Sequence, residues 1–109
     1  MDVGAQLSAL ADPTRRAIFD LLRERPSSVR ELTDRVPISQ PAVSQHLGVL
    51  QTAHLVAATK AGTRRIYRAD PEGIRLVRDW VETLWDDVLD AFTTAANNEA
   101  EQSEPRSGG

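Results

Sequence analysis

A chain of 109 residues that is 40% hydrophobic and 27% charged has the size and composition of one folded domain, which excludes both a second independent core and disorder throughout. The absence of cysteine excludes disulfides, thiolate metal sites and thiol redox chemistry; with no apolar run long enough for a bilayer and no basic-plus-apolar leader at the start, the cytoplasm is the expected compartment. The net charge of −3 speaks against nucleic acid only as an average: residues 35–69 hold no acid but carry Arg35, Lys60, Arg64, Arg65 and Arg68, whereas from Asp70 onward ten acids stand against three arginines.

Val3, Leu7, Leu10 and Ala11 recur at helical spacing and predict a short amphipathic helix over residues 3–11. Asp12-Pro13 is an N-cap followed by proline at the first helical position, and it opens a second helix with Ala17, Ile18, Leu21 and Leu22 inward until Pro26 stops it. Ser27 or Ser28 caps a third helix that runs to about Val36, with Val29, Leu32 and Val36 inward, and Pro37 ends it. Ser39 caps a fourth, on which Val43, Leu47, Leu50 and His54 share one face at i, i+4, i+7 and i+11. Its opposite face carries Pro41, Gln45, Gly48 and Thr52, flanked by Gln40, Ala42, Ser44 and Val49, without a single acid. An ordinary solvated helix face would show Glu and Lys pairs there.

The β-prone runs LVAATK and RRIYR flank Ala61-Gly62-Thr63 and predict a hairpin. Asp70-Pro71 repeats the cap-plus-proline device and opens a long helix with an apolar stripe of Ile74, Val77, Val81, Leu84, Val88, Phe92 and Ala95, widened by Trp80, Trp85 and Leu89. The domain is expected to span residues 1–98. Residues 99–109, EAEQSEPRSGG, lack apolar residues larger than alanine and are expected to be a disordered tail.

The predicted fold is mostly α with a small β-hairpin: four helices, two strands and a last helix, a winged helix-turn-helix. The third and fourth helices are joined tightly, so the fourth is the candidate for the major groove and the hairpin is a wing. Candidate DNA contacts are Ser39, Gln40, Pro41, Ala42, Ser44, Gln45 and His46 on the fourth helix, with Lys60, Arg64 and Arg65 at the wing. The amides of Gln40 and Gln45 suit adenine, the Ser44 hydroxyl suits several base edges and the Ala42 methyl suits thymine, while the wing cations suit phosphates or a narrow minor groove. His46 lies between the core and exposed faces of its helix, where it is expected to pack partly and touch a phosphate, with a base contact as the sharper alternative.

The runs ADPTRRAIFDLL, VRELTDRVPISQPAVSQHLGVLQTAHLV and AGTRRIYRAD, with SQHLGVL at 44–50, an LV entering the wing and a basic wing turn, resemble the ArsR family of winged helix-turn-helix repressors over residues 7–96. The resemblance implies a homodimer joined through the first and last helices, whose fourth helix reads a palindromic operator. The apolar stripes agree with it and put Val3, Leu7, Leu10, Val77, Trp80, Val81, Leu84, Trp85, Val88 and Phe92 at the interface. His54 stands where the family commonly has glycine before that LV. The thiolates with which the best-known members sense metals fall here near Leu32 and Thr33, and no histidine follows His54; the run RDWVETLWDDVLDAF resembles the branch that does not sense metals, and no cofactor is expected.

Several features carry a plainer reading beside the sharper one. Asp79, Glu82, Asp86, Asp87 and Asp90 read as solvated helix surface rather than a hard-ion site. Trp80 and Trp85 read as interface aromatics rather than the walls of a pocket for an unidentified small-molecule effector. Arg15 and Arg16 read as surface, with a phosphate contact as the alternative. No Gly-rich phosphate loop, clustered histidines or activated serine supports an enzyme. A winged-helix protein-interaction module that has lost DNA binding is the competing function, and the polar fourth helix and arginine wing speak against it.

Overall fold

The computed structural model describes residues 2–103. Its elements are α1 (Gly4–Ala11), α2 (Pro13–Glu24), β1 (Ser27–Ser28), α3 (Val29–Thr33), α4 (Gln40–Thr52), β2 (Val56–Ala61), β3 (Arg64–Ala69) and α5 (Pro71–Ser103). The chain divides into two compact units, one through Arg78 and one from Asp79.

In the first unit the capping signals act as expected. The Asp12 carboxylate accepts the backbone N–H of Arg15 at 2.9 Å, with Pro13 opening α2. Ser28 caps α3 in a full capping box: its hydroxyl accepts Glu31 N–H at 3.2 Å, and the Glu31 carboxylate accepts Ser28 N–H at 3.0 Å. Around these caps α2 buries Ile18, Phe19 and Leu22, α3 buries Leu32, and α4 buries Val43, Leu47 and Leu50. Leu55, Val56 and Tyr67 from the wing complete the same core.

Four expectations are corrected. Ala17 is exposed and Phe19 takes its inward place, because the ring removes far more apolar surface from water than a methyl does. The apolar spacing of α1 does not mark the side the chain itself buries, which is Val3, Gln6 and Ala9 with Leu10 half-buried beside them: the Gln6 amide donates to Ala53 C=O at 2.9 Å, and Leu7 faces outward. α3 closes at Thr33 in a turn made by Asp34 N–H to Arg30 C=O and Arg35 N–H to Leu32 C=O, ahead of a proline that disfavours helix at Val36. The sheet has three strands, not two, in the order β1-β3-β2, all antiparallel, with Ser27 opposite Tyr67 and Ser28 opposite Ile66. Two serines carry no strand periodicity, and it is the inner edge of β3 that recruits them.

Helix α4 ends in a Schellman motif. Leu55 N–H reaches Leu50 C=O at 2.9 Å and His54 N–H reaches Gln51 C=O at 3.0 Å, with His54 left-handed at φ 58°. His54 therefore fills the backbone role of the expected glycine, and its ring is exposed rather than aligned with Val43, Leu47 and Leu50. Its carbonyl accepts Gly73 N–H at 2.7 Å, which seats the first turn of α5 on the turn between α4 and the wing.

The second unit is the rest of α5. On it Val81, Leu84, Trp85, Val88, Leu89 and Phe92 are 41–70% exposed. The helix passes the expected boundary at Asn98, because Glu99 and Ala100 are good helix formers that merely extend a turn already made. Residues 104–109 of the expected tail lie outside the described residues. Among the described residues no helix is long and apolar enough to cross a membrane.

Candidate nucleic-acid interface

Helix α4 is held by its buried face, where Val43, Leu47 and Leu50 have no exposed surface, and this fixes which residues face out. Gln40, Pro41, Ser44, Gln45 and Gly48 are exposed, while Ala42 and His46 are half-buried at the flanks. Pro41, Gln45, Gly48 and Thr52 follow the i, i+4, i+7, i+11 line directly opposite the core. The Ser39 hydroxyl oxygen caps the helix, accepting Ala42 N–H at 3.3 Å, which leaves its O–H and one lone pair for a ligand. The face thus offers two amides and two hydroxyls, with no acid to repel a polyanion.

The wing turns at Gly62, whose φ of 65° suits the first position of a two-residue hairpin loop. The register sets Lys60 directly opposite Arg65. Like charges in that relation destabilise a sheet by themselves, and an anion lying over the pair reverses the sign. Arg68 donates to the Thr59 hydroxyl across the same two strands.

Arg64, a candidate phosphate ligand beside Arg65, also bonds within its own chain, while 58% of its side chain stays exposed. Its Nη2 donates to Ser28 Oγ at 3.0 Å and to Glu31 Oε1 at 2.9 Å, the two side chains of the capping box of α3. The Ser28 backbone N–H and side chain, and then Arg64, hold the Glu31 carboxyl below the ordinary carboxylate range. The signal for this was present in the sequence as Ser28-x-x-Glu31, but the partner lies 33 residues away and only the β1–β3 pairing brings it near.

A second cation is built in at α2. Arg15 donates through Nε to Ala9 C=O at 2.7 Å and through Nη2 to Ser8 C=O at 3.3 Å, and its Nη1 lies 3.4 Å from His46 Nδ1. Arg16 donates to Leu10 C=O at 3.1 Å. The two arginines thus satisfy the carbonyls that the end of α1 leaves open, where a cation is also favoured by the helix dipole. The Arg15 backbone N–H, and to a smaller extent the charges of His46 and Arg15, hold the Asp12 carboxyl below its ordinary value.

The residues expected at a subunit interface divide. Val3 is only 6% exposed within its own chain and has little surface left to bury elsewhere, while Leu10 packs partly against the chain's own core and is half-buried. Leu7 is exposed, and Val77 and Trp80 are half-buried. Val81, Leu84, Trp85, Val88 and Phe92 are exposed. A run of such side chains exceeds what solvent-facing helices normally carry.

Comparison with known proteins gives a consistent picture. A family model described as a helix-turn-helix domain matches residues 10–57. The HTH-type transcriptional regulator Rv2034 of Mycobacterium tuberculosis is 44% identical over 95 residues, which cover 87% of this chain and 89% of that one. The HTH-type transcriptional repressor SmtB of the same species is 40% identical over 87 residues, covering 79% of this chain and 64% of that one. Among solved structures, an ArsR-like transcriptional regulator from Rhodococcus sp. RHA1 superposes with a TM-score of 0.74 at 31% identity, covering 86% of this chain and 92% of that one.

Proposed function

The chain belongs to the ArsR family of winged helix-turn-helix transcriptional regulators, and from that premise we propose that it is a DNA-binding repressor that grips an inverted-repeat operator as a homodimer. The observation that carries the reading is the face of α4 opposite Val43, Leu47 and Leu50: amides and hydroxyls without an acid, in a chain whose net charge is negative. Gln45 and Gln40 reach base edges there, with Ser44 beside them, while Lys60 and Arg65 meet phosphates at the wing. The exposed apolar residues of α5, with Leu7 of α1, are buried against a second copy. Two-fold symmetry then sets the half-sites about one helical turn, roughly 34–36 Å, apart.

Selection of binding sites from random and genomic DNA tests this. The expected result is an inverted repeat bound with strong salt dependence, and Gln45→Ala costs about 1–3 kcal/mol on it while relaxing base choice at one position per half-site. Failure to enrich any sequence, or a Gln45→Ala variant with unchanged preference, overturns it.

A further inference from the structure

Between α1 and the outward side of α4 runs a groove of about 770 Å³. None of its nine lining residues is a carboxylate, although the chain has 16 acids. Gln45 and His46 border it, so it is continuous with the face that reads bases.

Two features of the groove point beyond the fold. The first is Gly48, the ninth of the thirteen residues of α4. Glycine is the poorest helix former after proline. A Cβ built on Gly48 meets nothing within 4 Å, so nothing inside the chain requires its absence. Gly73 shows the contrast: there a Cβ would come within 2.5 Å of the His54 carbonyl oxygen. Among the described residues nothing crowds Gly48, so its bare backbone is open to a partner that approaches the helix from outside.

The second is Arg15. Its guanidinium has five N–H donors. Three are oriented toward Ala9 C=O, Ser8 C=O and the His46 ring, which leaves one hydrogen on each terminal nitrogen of a cation that lines the groove. A guanidinium fixed in this way is a prepared donor for a single phosphate. Ala5 and Val49 supply apolar walls, suited to the carbons of a sugar.

We infer that the groove between α1 and α4 seats one sugar-phosphate strand of the operator, with Arg15 as its phosphate donor and Gly48 as the clearance that lets the strand settle against α4. This rests on the DNA-reading role of α4. It extends the interface from the wing and the reading face to the junction of α1 and α2.

The test compares Gly48→Ala, Arg15→Gln and Gln45→Ala on the selected operator and on random DNA, each with a melting curve. Gly48→Ala is expected to raise the melting temperature by several degrees, because alanine is the better helix former in open space, yet to weaken binding to both DNAs at least tenfold without changing base preference. Arg15→Gln keeps an amide donor for the α1 carbonyls and is expected to lower the salt slope by about 0.9 per subunit bound. Wild-type affinity in Gly48→Ala overturns the inference. So does an Arg15→Gln variant that melts lower with an unchanged slope, since Arg15 then serves the fold alone. If Gln45→Ala leaves base choice unaltered, the reading of α4 has failed and the groove falls with it. If Gln45→Ala behaves as expected while the other two bind as wild type, only the groove is overturned.

Discussion

Arg64 of the wing donates to Glu31 at the start of α3, Nη2 to Oε1 at 2.9 Å, across 33 residues of sequence. The bond joins the wing to the first helix of the helix-turn-helix pair, so that the hairpin is aimed by α3 and not by its turn alone. Two neighbouring arginines therefore do different work. Arg65→Ala is expected to lower the salt slope of operator binding by about 0.9 per subunit, the loss of one phosphate contact. Arg64→Ala is expected to weaken binding with a smaller change of slope, because a hinge is loosened and the phosphate contact is kept. Titrations at several salt concentrations separate the two, and equal slopes in both variants contradict the assignment.

The capping box that Arg64 joins makes the fold sensitive to acid, through the Ser28 N–H and hydroxyl on Glu31 first and the Arg64 charge after them. The Glu31 carboxyl is held below its unfolded value, so its contribution is complete above the ordinary carboxylate range and is lost as pH falls through the folded-state value. Melting curves between about pH 7 and about pH 3 should show wild type above Glu31→Gln at neutral pH, with the gap closing as acid protonates the carboxylate. A gap that widens with acid reverses the sign of the argument.

Gly73 and His54 make opposite predictions for exchanging glycine with a side chain. At Gly73 a Cβ would press on the backbone of the turn between α4 and the wing, so Gly73→Ala is expected to destabilise, by about 1–3 kcal/mol as for an overpacked core site. His54 holds a left-handed φ that costs a residue with a Cβ about 1–2 kcal/mol, so His54→Gly is expected to stabilise by up to that amount. Urea denaturation of the two variants checks both signs.

The exposed stripe of α5 predicts an obligate homodimer. Val81→Glu or Leu84→Glu places a charge where apolar burial is expected and should yield dissociated or unfolded protein. Analytical ultracentrifugation of wild type at micromolar concentration should give the dimer mass, and a monomer there contradicts the proposed assembly.

Operator affinity is expected to be indifferent to zinc, arsenite and peroxide. The chain has no thiolate for a soft metal, and its two imidazoles lie on different elements, His46 beside Arg15 on α4 and His54, its ring exposed, in the turn after α4. A change beyond about tenfold, or 1.4 kcal/mol, against a chelator control assigns a sensory role to the acids of α5 if a metal causes it, or to methionine if peroxide does.

The sequence by itself determined the order of the five helices and the two wing strands, the helix caps and the polar face of α4. Each of these is written in neighbouring residues: Asp12-Pro13, Ser28-x-x-Glu31, Ser39, Asp70-Pro71, and an apolar repeat in α4 that leaves one direction free of acids. Only the tertiary structure decided which side of α1 turns inward, because a buried Gln6 docks on Ala53 and hydrophobic periodicity is blind to a polar anchor. The third strand likewise depends on β3, since Ser27 and Ser28 have no strand preference of their own and form one only where an edge offers its hydrogen bonds. The division of labour among the arginines was hidden for the same physical reason. Arg15, Arg64 and Arg65 are alike in sequence, and what separates them is whether a carbonyl, a carboxylate or open solvent lies within reach of the guanidinium, which is a property of the packed chain.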